Sequence, residues 1–386
     1  MKLFLSGRSV LAVVAVALAA LVGGGSGALG LCGPFTDTAD DPFCPFVLEI
    51  FYMGITTGTT ATTYDPTGNV SRLQMAAFLS RSVDGALKRS SRRAALRQYW
   101  IPQHSDFLGI SGTGANPQAV ESDGADIWVA SNTDGWIQRY RGSDGSPLGT
   151  WTGASSALGV LVAQGHVFVT GSQSPGFLFG VDPRSAPSQV DLISSALPGL
   201  PSGITYDGSR IWTANASGSV SIVTPMNGQA WTITTATTGF TEPHGALYDG
   251  ALVWVTDKIA GTLLRLNPSG AILQTVTVGF QPWFPVFDGT NIWVPNGGND
   301  SISVVRASNG TVLATLTGNG LNTPIVAAFD GQRVLVTNNA GSSVSLWKAA
   351  DLTTLGSFPV HPFPNGACSD GINFWITAAS GTLTRF

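Results

Sequence analysis

Asp288-Gly289-Thr290-Asn291-Ile292-Trp293-Val294 is the stretch on which the reading of this chain turns. Asp-Gly is a turn signal, because glycine accepts the positive φ that tight turns require. Ile-Trp-Val behind it is a short apolar run, the pattern of a strand buried on both faces. The same pairing of turn and strand recurs along the chain. The turns are Asp123-Gly124, Gln164-Gly165, Asp207-Gly208, Asp249-Gly250, Asp288-Gly289, Asp330-Gly331 and Asp370-Gly371, and their glycines are spaced by 41, 43, 42, 39, 42 and 40 residues. The strands are Ile127-Trp128-Val129, Val167-Phe168-Val169, Ile211-Trp212-Thr213, Val253-Trp254-Val255, Ile292-Trp293-Val294, Val334-Leu335-Val336 and Phe374-Trp375-Ile376.

Self-similarity at this period marks a repeat architecture. Each unit continues through a second turn, often with Asn (Asn215, Asn296, Asn338), into an alternating strand such as Val220-Ser221-Ile222 or Ile302-Ser303-Val304. A fourth strand follows, as in Ile272-Leu273-Gln274-Thr275-Val276. Four strands in about 40 residues make one propeller blade. Seven turns therefore predict an all-β fold, a seven-bladed β-propeller with four-stranded blades over residues 98–386. The last repeat stops at Phe386 after three strands. A ring left with an unpaired edge is unstable, so its missing strand is expected from before the first repeat. Phe107 to Ile110 has the right spacing, and Tyr99-Trp100-Ile101 is a second candidate.

The 386 residues before and within this array have an unusual surface chemistry: only 11% are charged, against 48 glycines, and the net charge is -4. The field of the whole chain argues neither for nor against a polyanionic partner. The first residues read as a processing signal. Lys2 and Arg8 precede an apolar run of 13 residues, Val10 to Val22, and Ser26-Gly27-Ala28 offers small residues for cleavage. Residues 1–28 are thus expected to be a signal peptide and the protein to be secreted or held at the cell envelope, outside the cytoplasm. No other apolar segment is long enough for a membrane span. Export permits disulfides. Of the three cysteines, Cys32 and Cys44 lie close together and are expected to bridge, while Cys368 reads as a buried thiol in an inner strand. Residues 86–97 form a basic linker with Lys88, Arg89, Arg92, Arg93 and Arg97. It lacks interleaved aromatics, so nucleic acid is not expected as a partner.

Residues 32–85 carry helix-like stretches around a Thr/Gly-rich loop. Phe46, Ile50 and Met53 share one helical face, and Leu73, Ala76, Ala77 and Leu79 another, after a cap at Asn69 or Ser71. Phe35-Thr36-Asp37, Met53-Gly54-Ile55-Thr56-Thr57-Gly58, Tyr64-Asp65-Pro66 and Val70-Ser71-Arg72-Leu73-Gln74-Met75-Ala76 together resemble a single S-layer homology repeat. That resemblance implies attachment to an anionic cell-wall polymer, with Arg72 as the cation that pairs it. The family usually uses three repeats and an acid where Gln74 stands.

The array itself resembles YVTN-type propellers and, more loosely, NHL and virginiamycin B lyase-like propellers, through the Asp-Gly turn, the Ile-Trp-Val strand and the following Asn. Ligands of propellers sit at the mouth of the central channel. Six residues before each turn glycine stand Gln118, Gly159, Ser202, His244, Trp283, Ile325 and Asn365, which repeat symmetry places in one ring. The candidate binding set at the channel mouth is Gln118, Ser202, His244, Trp283 and Asn365, suited to a glycan, peptide or protein. Glu242-Pro243-His244-Gly245 resembles the strand start of lyase-like propellers, in which a His works with a metal and carboxylates. This gives the alternative reading, an enzyme with His244 as acid or base. The equivalent positions of the other blades hold no carboxylate and no second His, so no metal site and no cofactor is expected. No serine-nucleophile elbow, zinc-protease motif, Cys-x-x-Cys or phosphate loop occurs. A non-enzymatic binding propeller at the cell envelope is the favoured reading.

Overall fold

The computed structural model describes residues 34–38, 56–72, 74–79, 108–225 and 231–386, with Cys44, Val47, Ile50, Phe51 and Ser82. The expected signal segment 1–28, Cys32, the basic linker 86–97, Tyr99-Trp100-Ile101 and Phe107 lie outside the described residues. The chain divides into two compact units, Met1–Arg92 and Arg93–Phe386.

In the larger unit seven four-stranded antiparallel sheets follow one another as blades. The inner strands are Pro117–Ser122, Ala157–Ala163, Pro201–Tyr206, Pro243–Tyr248, Val286–Phe287, Pro324–Phe329 and Pro364–Ser369. The apolar runs that decided the fold are the second strands of the blades, and Ile127, Trp128, Val129, Ile292, Trp293, Val294, Val334, Leu335 and Val336 are wholly inaccessible. They are sealed on both sides by neighbouring blades, so no single core exists. Apolar clusters instead fill the seams, as where Trp254, Ile292 and Val294 meet Leu263 and Val305. Burying each large side chain contributes about 1.5–3 kcal/mol.

The repeat turn does more than reverse the chain. All seven turn glycines have positive φ, between +71° and +99°. In the blades with Asp-Gly and Trp, the Asp carboxylate also accepts two backbone N–H groups and the indole N–H five residues on. Asp288 takes Thr290 N at 2.8 Å, Asn291 N at 2.6 Å and Trp293 Nε1 at 2.7 Å. Asp123–Trp128, Asp207–Trp212, Asp249–Trp254 and Asp370–Trp375 repeat the indole bond at 2.7–2.8 Å. Blade 2 departs from this: Ala163 pairs with His166 across the two-residue loop Gln164-Gly165, with both φ values positive. The Asn of the second turn has an equally defined role. Buried Asn215, Asn296 and Asn338 each donate from Nδ2 to two serines of the third strand, Ser219 and Ser221, Ser301 and Ser303, and Ser343 and Ser345.

The ring closes as expected. Gly109–Ser111 joins the last blade as its outer strand, with Gly109 opposite Thr384 and Ser111 opposite Thr382. Cys368 is a free, buried thiol.

In the smaller unit Phe35 is fully buried and packs against Val47, Cys44, Phe51 and Tyr64. Asp37 accepts the N–H groups of Tyr64 and Asp65 at 2.7–3.1 Å, and these bonds hold its carboxyl below the usual range. Cys44 is engaged in a disulfide. Ser71 and Gln74 cap the helical residues 74–79 reciprocally: Ser71 N donates to Gln74 Oε1 at 2.8 Å and Gln74 N to Ser71 Oγ at 3.2 Å. Gln74 thus performs a capping role. The expected apolar face of that helix is not buried. Ala76 is exposed and Leu79 is 60% accessible, because a unit this small has little interior to offer. Arg72 is exposed and makes no ion pair among the described residues. Among the described residues no helix is long and apolar enough to cross a membrane.

Candidate functional site

Each blade presents its candidate residue to the channel by the same device. The residue before the inner strand turns its carbonyl towards the loop after the second strand, and accepts an N–H there. Seven such bonds circle the mouth: to Asn116, Ser156, Leu200, Glu242, Gln281, Thr323 and Phe363, at 2.9–3.2 Å. Six of these seven acceptors, Glu242 excepted, have positive φ near +50° to +60°. The strand then starts with Pro or Ala and at once bulges. In blades 1, 6 and 7 the register skips one residue, so Gln118, Ile325 and Asn365 have no ladder partner. In blades 2, 3 and 4 the shift is again one residue, but two residues stand opposite one, so Leu158-Gly159, Ser202-Gly203 and His244-Gly245 have no ladder partner. A bulge re-aims side chains that regular pairing would place against a neighbouring blade. Blade 5 goes further. Pro282-Trp283-Phe284-Pro285 has two residues without N–H, and the regular inner strand shrinks to Val286–Phe287. Threonines of the second strands occupy the N–H groups exposed by the bulges: Gly159 N to Thr170, Gly245 N to Thr256, Val326 N to Thr337 and Gly366 N to Thr377, at 2.8–3.2 Å.

These bulges surround a cavity of about 310 Å³. Six of the seven ring positions read from the sequence line it, among them Gln118, His244, Trp283 and Asn365. Ser202 does not. It is 1% exposed, its hydroxyl is buried without a partner, and Gly203 and Ile204 line the wall in that blade. The bulge does not account for this, since His244 holds the same place in the same kind of bulge and lines the cavity.

The lining has two chemically distinct arcs. Blades 4 and 5 supply rings: His244 meets Trp283 edge-on with centroids 4.7 Å apart, and Phe284 lies 6.0 Å from His244. Lys258 stands 4.3 Å above the Trp283 ring and 3.2 Å from Glu242 Oε1, so its charge is paired. Blades 6, 7 and 1 supply amides. Asn339 Nδ2 donates to Asn365 Oδ1 at 3.1 Å, Asn365 Nδ2 to Asn116 Oδ1 at 3.3 Å, and Gln118 Nε2 to Asn116 Oδ1 at 2.8 Å. Phe284 and Asn339 were missed by the ring rule, which followed a fixed offset from the turn. The Pro-Trp-Phe-Pro stretch and the doubled Asn338-Asn339 were their available signals.

His244 is the one ionisable residue on the lining. Burial holds its imidazole down to about 4, Lys258 pushes the same way, and the Glu242 and Asp257 carboxylates oppose them only in part. It is therefore neutral at pH 7, and its approach of 3.8 Å to Glu242 is no ion pair. Nδ1 is buried without a partner. A base this weak takes up protons poorly near neutrality. Among the described residues no group of three or more His, Cys, Asp or Glu could hold a metal ion. The set around His244 does not fit the metal and carboxylates that the lyase-like resemblance implies.

Fold and cavity define a seven-bladed propeller with a ligand-sized channel mouth. Solved structures share that fold. A catalytically inactive His-to-Ala variant of virginiamycin B lyase from Staphylococcus aureus, determined with quinupristin, superimposes with a TM-score of 0.62 at 14% identity, over 72% of this chain and 97% of that one. A streptogramin B lyase gives 0.60 at 14%, covering 72% and 97%. The WD40 propeller domain of Doa1 gives 0.58 at 12%, covering 70% and 92%. No protein-family model matches the chain, including its S-layer-homology-like stretch. No curated protein matches it either.

Proposed function

We propose that this protein is an exported propeller that binds an uncharged ligand at its channel mouth without transforming it. The observation that carries this reading is the cavity itself: rings on one arc, amides on the other, and one ionisable side chain that is neutral at pH 7. Sites of this kind hold small molecules or inserted side chains by apolar contact and a few placed polar groups. The lyase-like alternative would need a stronger base and a metal-binding set than the cavity lining offers, and resemblance of fold alone does not supply an activity.

Export rests on the basic and apolar start of the chain, and the disulfide at Cys44 supports an oxidising compartment. Attachment to an anionic wall polymer through residues 32–85 rests on the sequence resemblance and the exposed Arg72.

The test is a thermal-shift screen of glycans and blocked peptides on the full chain beside Ile325→Trp, which fills the cavity. A ligand at one hundred times its dissociation constant adds about 2.7 kcal/mol to stability. Stabilisation lost in Ile325→Trp supports the reading. Stabilisation indifferent to that substitution places binding elsewhere and refutes it.

A further inference from the structure

The amide arc has a direction. Asn365 Nδ2 also donates to the backbone carbonyl of Pro117 at 3.1 Å, and Asn339 Nδ2 to that of Pro364 at 3.3 Å. A backbone carbonyl can only accept, so both side-chain amides are pinned with nitrogen towards it; flipping either would set oxygen against oxygen. Asn116 is pinned in turn, because its Oδ1 receives Asn365 Nδ2, and Gln118 follows from Asn116.

The inventory of free groups follows. Both N–H bonds of Asn339 and both of Asn365 are engaged within the arc, as is one of Gln118. Asn116 Oδ1 is filled by two donors. The bulge N–H groups of blades 2, 4, 6 and 7 are taken by threonine hydroxyls. Gln118 Oε1, Asn339 Oδ1 and the second lone pair of Asn365 Oδ1 are left to face a ligand. The arc is mainly an acceptor surface, with one N–H of Gln118 left over. Across the cavity, Trp283 Nε1 is buried and presents no donor to it.

Resting on the channel-mouth reading, we infer that the ligand is an uncharged molecule in which an apolar ring carries a hydrogen-bond donor, an amide N–H or a hydroxyl, with the ring seated by Trp283 and Phe284 and the donor on Gln118 and Asn339. At the amide arc an anion would face three acceptor oxygens against a single remaining N–H, that of Gln118. A cation would enter a lining without a carboxylate, beside Lys258, at a large desolvation cost.

Four probes of one shape decide this: phenylacetamide, 2-phenylethanol, methyl phenylacetate and phenylacetate, titrated onto the full chain by ligand-observed NMR. The amide or the alcohol is expected to bind about tenfold more tightly than the ester, which accepts but cannot donate, as one hydrogen bond contributes. Phenylacetate should be weaker still. Whichever of amide and alcohol binds better identifies the donor as nitrogen or hydroxyl. In Gln118→Met with Asn339→Leu the preference over the ester should vanish while the ester's own affinity stays. Should that pair fail to fold, the wild-type series decides alone. An ester that binds as well as the amide and the alcohol overturns the donor requirement and leaves the channel-mouth reading standing. Failure of all four probes overturns both.

Discussion

Replacing Glu121 by Gln should stabilise the propeller at alkaline but not at acidic pH. Glu121 lies on the inner strand of blade 1 opposite the fully buried Trp128, near enough to Cys368 of blade 7 for its charge to push that thiol up. Burial raises its carboxyl from 4.5 to about 7, and the Ser122 N–H offsets this only in part. An acid with a raised folded pKa is protonated in both states below 4.5, so it carries no penalty there. Between 4.5 and 7 the unfolded chain ionises and the folded one does not, and above 7 the penalty is complete. A pKa difference of this size corresponds to about 3 kcal/mol. Glu121 keeps partial solvent access, which screens the ionised form, so about 2 kcal/mol is the working figure. In a domain of this size that shifts Tm by about 4 °C. Calorimetry of wild type and Glu121→Gln at pH 4 and pH 8 should show the gain at pH 8 alone. Equal shifts at both values, or none at pH 8, would refute the burial argument.

Asp288→Ala removes the hydrogen bonds from Thr290 N, Asn291 N and Trp293 Nε1, with a longer one from Asn291 Nδ2, and should cost about 2–3 kcal/mol in urea unfolding. Gln164→Ala, in the turn without an indole partner, should cost less than half of that; equal losses would show that the turn rather than the indole bond matters. Asn296→Ala takes its amide from Ser301 and Ser303 in a fully buried site, and a loss of about 2 kcal/mol is expected by the same measurement. Deleting residues 98–112 strips the outer strand from the last blade. The truncated chain should melt lower and aggregate with rising concentration, and an unchanged melting curve would show that the closing strand is dispensable.

Blade number, blade order and ring closure were legible in the sequence because they depend on spacing and on apolar runs, and both survive as patterns along the chain. The turn aspartates were legible only as turn formers. Their bond to an indole five residues on is a matter of three-dimensional reach, although Asp288 and Trp293 stand in plain view. For the site, repeat symmetry located the channel positions well and failed at Ser202, whose counterpart His244 lines the cavity from the same kind of bulge. Asn339 escaped because it lies on another loop of its blade, and only the fold brings it beside Asn365.

Gly109–Ser111, the strand that completes the last blade, also sets a timetable. It is the first strand of the ring to be synthesised, and its partner Thr382–Arg385 is the last. Blades 1 to 6 can form as they emerge, since their own strands are contiguous, but the ring has no closed state until the final hairpin arrives. Until then an unpaired edge stays open at each end. Folding time should therefore be governed by this single long-range pairing, and a circular permutant with new ends between two complete blades would shift the delay to a different seam.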